Sequence, residues 1–251
     1  MNGQAFLGAW KKEWKMMKNS FTFILVISLF LVIGLFGLTT ELESGFTYLG
    51  VGVFLFPVYV LLSLNTEALQ MDAFLHINQS LHNVLLAKFL NGFLLAMSFA
   101  GLIGTVVLIM NQIENRIPLG ELLVNMILLV VNISLLTIFP TIILLFLWSL
   151  YHVFRKFHVV IGIIGIIGFL YILNKLFAIL QDTKVYNTLS DWGVVTWETT
   201  FPVIDSGGPS SLFMTANGNI QFQIGSLLLY AVFTLLFYLL SIYLLQRKVE
   251  V

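Results

Sequence analysis

Glu67, Asp72, His76 and His82 bring two carboxylates and two imidazoles into one polar segment, Asn65 to Lys88 (NTEALQMDAFLHINQSLHNVLLAK), wedged between two hydrophobic runs. Zinc ligation, hydrolysis and charged contact with a partner are the chemistries to weigh. A membrane metalloprotease would need paired histidines and an acid in a pattern such as H-E-x-x-H. The four histidines, His76, His82, His152 and His158, stand at or near the ends of hydrophobic runs and do not form that pattern. The chain has neither a G-x-S-x-G elbow for a serine hydrolase nor a G-x-x-x-x-G-K-[ST] loop for nucleotide phosphates. With no cysteine there is no disulfide, thiolate metal site or cysteine nucleophile. The chain is therefore expected to be neither an enzyme nor the holder of a metal or cofactor, and any ATP that drives it must bind a separate polypeptide. Contact with a partner is the chemistry left to the segment.

The elements that position it follow from composition. With 59% apolar and 10% charged residues, the chain is far more hydrophobic than a soluble domain. A hydrocarbon core of roughly 30 Å takes about 20 apolar residues per helix. Six runs qualify as spans: 21–38, 46–64, 89–110, 122–148, 158–180 and 222–245. They are continuous rather than alternating, which selects helices over barrel strands. The expectation is an all-α integral membrane protein, a single six-helix transmembrane domain over 1–251. No cleavage pattern follows the first run, so that run is expected to be a retained span and the mature chain to begin at Met1. Placing the amino terminus inside puts Lys11, Lys12, Lys15, Lys18, Lys88, Arg155, Lys156, Arg247 and Lys248 in the cytoplasm, against Arg116, Lys175 and Lys184 outside. By the positive-inside rule both termini and the 65–88 segment are cytoplasmic, and 181–221 is external. A net charge of zero gives no sign of nucleic acid.

Residues 1–20 place Phe6, Leu7, Trp10, Trp14 and Met17 at spacings of three and four, with lysines on the remaining face. That pattern is an interfacial amphipathic helix, serving as a membrane anchor or as a docking element. The third run carries Gly92, Ala96, Ala100 and Gly104 at strict four-residue spacing, and the fifth carries Gly162, Gly165 and Gly168. Small residues so placed let helices approach closely; a substrate path is the other use. Asn132, Ser134, Thr137, Pro140 and Thr141 suit the fourth span to a kink and to hydrogen bonds across helices. No Asp, Glu, Arg or His lies deep in any run, as an ion-driven carrier would require; Lys175 is the nearest case. Leu81, Val84, Leu85, Lys88 and Phe89 have helical spacing and suggest an amphipathic helix on the membrane surface, the alternative being a solvated connector.

An amphipathic elbow, six spans and a longer second-to-third cytoplasmic connection together resemble the permease subunit of type-2 ABC exporters. The local sequence around Glu67, Asp72, Phe74, Leu75, His76, Ser80 and then Leu86, Ala87, Lys88 and Phe89 is similar to that of short Gram-positive permeases. Those serve antibiotic resistance, bacteriocin immunity or export of amphipathic peptides such as phenol-soluble modulins. Members often carry a proline where this chain has Asn78 or Gln79. The resemblance implies a half-transporter of the bacterial cell membrane, pairing with a second copy or a related permease. ABC ATPase subunits binding ATP and Mg would dock below. Glu67, Asp72, Phe74, Leu75 and His76 would form the coupling helix, and Arg155 and Lys156 a second, smaller contact. Trp192, Trp197 and Phe201 would belong to short external helices capping the exit, or rest in the headgroups as an ordinary loop. A non-transporting scaffold or sensor that binds a soluble partner through 65–88 is the competing function.

Overall fold

The computed structural model describes residues 3–4, 6–19, 22, 55–67, 80–114, 118–155, 157–198, 213–216 and 219–248. The first expected span apart from residue 22, the first nine residues of the second (46–54), and residues 68–79 of the 65–88 segment lie outside the described residues. The rest is predominantly helical. Helices α1 (6–19) and α2 (55–67) are followed by α3 (Leu81–Glu114), α4 (Leu119–Arg155), α5 (Val159–Gln181) and the short α6 (Lys184–Ser190). Strands β1 (Val194–Glu198), β2 (Phe213–Ala216) and β3 (Asn219–Gln223) come next, and α7 (Ile224–Lys248) closes the chain. Among the described residues four stretches are long and apolar enough to cross a membrane: Leu81–Ile113, Thr137–Arg155, Val159–Gln181 and Ile224–Gln246. The chain is a membrane protein built from such helices.

Contacts divide the chain into two compact units, 1–141 and 142–251. In the first, α3 runs unbroken for 34 residues. At 1.5 Å per residue it spans about 50 Å, well beyond the hydrocarbon core. Residues 81–88 are thus the first turns of the membrane helix, not a separate helix on the surface. Nothing in LHNVLLAKFL interrupts helix formation, and the Ser80 carbonyl already accepts from the Asn83 and Val84 amides at 2.9 and 3.4 Å. Pro118 separates α3 from α4, its carbonyl accepting from the Leu122 amide at 3.1 Å. The hydroxyls of α4 turn back on their own helix: Ser134 to the Val130 carbonyl, Thr137 to Ser134 and Thr141 to Thr137, at 2.6–2.7 Å. They satisfy themselves locally instead of bridging helices, as hydroxyls in apolar surroundings readily do.

In the second unit, α4 continues to Arg155, so most of 149–157, the stretch left between the fourth and fifth expected spans, is helix. His152 and Arg155 occupy its last turn, where the charge of Arg155 complements the helix dipole. His158 caps α5, its Nδ1 accepting from the Val160 amide at 3.2 Å. A Cβ on Gly162 would lie 3.0 Å from the Tyr151 ring, and one on Gly165 2.6 Å from that of Phe154. These two glycines allow α5 to close against the end of α4, whereas Gly168 faces open space. Phe146 joins α4 to α5 and α7 through rings centred 5.2 Å from Phe169 and 5.3 Å from Phe237.

Among its described residues the 181–221 segment holds the short α6 and strands of a sheet, where short outer helices or an ordinary loop were expected. The sheet is antiparallel in the order β1-β3-β2, with Val195 opposite Phe222 and Phe213 also opposite Phe222. Gly193 takes a left-handed φ of 72° just before β1, a conformation that favours glycine. The first amides of α7 are satisfied there: Ile224 donates to the Gly193 carbonyl and Gly225 to that of Trp192, at 3.2 and 2.9 Å. A Cβ on Gly225 would fall 1.6 Å from the Leu189 carbonyl oxygen, so only glycine fits this crossing.

Candidate functional site

Three helix faces meet around one lysine. On α1, Ala9, Glu13 and Met17 recur every four residues and are all buried. Tyr59, Ser63 and Glu67 do the same on α2, while Val84, Lys88, Asn91 and Leu95 line the buried stripe of α3. Each stripe is apolar at one level, where Met17, Tyr59 and Leu95 form a common core cluster. Each is charged or hydroxylated at another. The close approach rests on Gly92, one turn after Lys88, where a Cβ would sit 2.7 Å from the Phe56 ring and 3.1 Å from that of Tyr59. A larger residue at Gly92 would push α2 away from the lysine.

The Lys88 ammonium is fully buried, with Glu13 1% and Glu67 6% exposed beside it. It donates to Glu13 Oε1 at 2.8 Å and to Ser63 Oγ at 2.7 Å, and ion-pairs with Glu67 Oε2 at 2.9 Å. Ser63 in turn donates to the second Glu13 oxygen at 3.0 Å. One ammonium therefore serves two carboxylates out of reach of water. Lys12, 53% exposed, approaches Glu67 Oε1 only to 3.9 Å, so its charge is largely screened. Burial pushes the Glu67 carboxyl above the usual carboxylate range, with Lys88 opposing and Glu13 adding to the rise. A second polar tie joins the same helices, from Trp10 Nε1 to Asn91 Oδ1 at 2.7 Å.

Chemically this cluster is a fastening, because its reactive atoms face one another and no substrate can reach them. Among the described residues no group of three or more His, Asp and Glu is placed to hold a metal ion. Glu67, expected to meet a partner's basic groups, is turned inward onto Lys88, and its carboxylate offers a partner little surface. Asp72, Phe74, Leu75, His76 and Lys156 lie outside the described residues. Arg155 is exposed, its guanidinium 6.0 Å from the centre of the Tyr151 ring. Ala96 and Ala100 are buried with Gly92 along α3, and a Cβ on Gly104 would meet Met126 of α4 at 2.6 Å. Trp192 is 62% exposed, Trp197 stands opposite Ile220 in the sheet, and Phe201 is outside the described residues.

Sequence reasoning gives no role to Glu13 or Ser63, and it takes Lys88 as an inside charge and a member of a helical pattern, not as the centre of a buried cluster. The signal is present: Glu13 interrupts an apolar stripe between Trp10 and Met17, and Lys88 interrupts another between Leu85 and Leu95. Opposite charges that each break an apolar helical stripe are candidates to find one another. No protein-family model, curated protein or solved structure matches the chain.

Proposed function

We propose that this chain is the permease subunit of an exporter powered by ATP hydrolysis on separate subunits. In this reading six spans cross a bacterial cell membrane with both termini inside, and two copies, or this chain and a related permease, enclose the pathway. Phe74 and Leu75 insert into a cleft of the ATPase, with Asp72 and His76 beside them and Arg155 and Lys156 in a smaller second contact. ATP-driven closure then swings the helices between inward-open and outward-facing arrangements, a rigid-body switch biased by nucleotide. Amphipathic peptides or hydrophobic antimicrobial compounds are the cargo that the sequence resemblance favours.

The observation that carries this reading is the base of the 65–88 segment. Glu67 at one end and Lys88 at the other are joined directly, and both belong to a buried cluster with α1. Such a base fastens both ends of the segment to α1, an arrangement suited to a segment that receives a push. Affinity capture of the full chain from its native membrane tests the proposal. An ATP-hydrolysing subunit should co-purify, and Phe74→Glu with Leu75→Glu should release it. Capture of a partner with no hydrolytic activity would favour the sensor or scaffold; unchanged capture by the double variant would remove the coupling role.

A further inference from the structure

We propose that Glu13, Ser63, Lys88 and Glu67 form a clamp that locks α1 to both ends of the 65–88 segment, so that the three move as one body when a partner displaces the segment. The inference rests on the coupling role proposed above and assigns Glu13 and Lys88 as its positioning residues. Neither touches the partner. They determine what the partner's force is applied to.

The geometry supports this at three levels of α1. Trp10 is held by Asn91, Glu13 by Lys88 and Ser63, and Met17 by Tyr59 and Leu95. A helix that only rested on the membrane would turn its carboxylate to water. Here Glu13 points inward while Lys11, Lys12, Lys15 and Lys18 are exposed. Because Glu13 shares the ammonium with Glu67, α1 cannot separate from α2 and α3 without breaking a buried ion pair and the hydrogen bond from Ser63, which is unfavourable. Gly92 keeps α2 and α3 close enough for the sharing. Displacement of the segment's ends is therefore transmitted to the amphipathic helix before the cluster opens.

The chain has no cysteine, so introduced pairs can carry spin labels without background. Lys15→Cys and Ser80→Cys, both at exposed positions, report the distance from α1 to the start of α3 in the full chain reconstituted in lipid. One narrow distance population is expected. Lys88→Met should broaden or shift it, while Lys88→Arg, and Glu13→Lys combined with Lys88→Glu and Glu67→Gln, should keep it narrow. A Lys88→Met distribution that coincides with the parent's overturns the clamp. Should Lys88→Met fail to fold, Lys88→Arg and the exchanged pair decide: narrow populations support the clamp and broad ones overturn it. The co-purifying ATPase gives the second readout, in which Lys88→Met keeps partner binding but loses stimulation of hydrolysis, and Lys88→Arg keeps both. A broadened distance with unaltered stimulation refutes the coupling reading and leaves the clamp standing; an unchanged distance refutes the clamp whatever the ATPase does.

Discussion

Replacing Lys88 by methionine keeps the unbranched chain but for its terminal atom and removes its charge, leaving Glu13 and Glu67 facing each other in a site from which water is excluded. At an effective dielectric of about 20, a charge pair separated by the 2.8 Å seen here is worth roughly 6 kcal/mol before desolvation is subtracted. Most of that gain offsets burial of the ions, but breaking a buried pair from one side typically costs about 3–5 kcal/mol. Glu67→Gln is the opposite case. It keeps the Glu13–Lys88 pair and removes a carboxyl whose pKa burial has already raised, so its cost should stay within about 1 kcal/mol. Thermal unfolding in detergent, followed by tryptophan fluorescence, separates the two. Lys88→Met should lower the midpoint by about 10 °C, and Glu67→Gln by a few degrees at most. The pH dependence has a definite sign. A carboxyl with a raised folded pKa holds its proton longer when folded, so its stabilising effect is greatest below the ordinary carboxylate range and fades as pH rises through the raised value. Glu67→Gln should flatten that decline. Equal losses for both variants, or a wild-type stability that climbs over the same pH window, would refute the reasoning.

Two glycine comparisons test packing independently. Gly92→Ala places a methyl 2.7 Å from the Phe56 ring and should cost about 1–3 kcal/mol, measured by the same unfolding assay, whereas Gly101→Ala meets nothing within 4 Å and should be neutral or slightly stabilising. Gly225→Ala would drive a Cβ into the Leu189 carbonyl and should detach the start of α7 from the 189–193 turn, seen as new protease cleavage within 183–198.

The sequence made the apolar helices legible because lipid imposes one long, continuous signal. It also located the small-residue stripe, for four-residue spacing on a helix leaves one thin side, and Gly92 and Gly104 do meet neighbouring helices closely. The cluster at Lys88 was harder to see, because its members come from positions 13, 63, 67 and 88 and only tertiary packing brings them together. The sheet was missed for a different reason. Val194-Val195-Thr196-Trp197 after a glycine is a strand signal, and the dipeptide Asn217-Gly218 is a strong sequence signal for a hairpin. The aromatic content of that segment drew attention to membrane interfaces instead. The expected surface helix at 81–88 was right in periodicity but wrong in extent, since helical spacing cannot show where one helix ends and the next begins when no Gly or Pro intervenes.

The central claim is that this chain carries cargo across a membrane at the expense of ATP hydrolysed by a partner. Sealed vesicles containing the full chain and the ATPase captured with it, loaded with ATP on the ATPase side, address it directly with a fluorescent amphipathic peptide. The expected result is ATP-dependent movement of the peptide away from the ATPase side, abolished by Phe74→Glu with Leu75→Glu. Peptide movement that is the same with and without ATP, or hydrolysis that proceeds normally in the double variant, would contradict it.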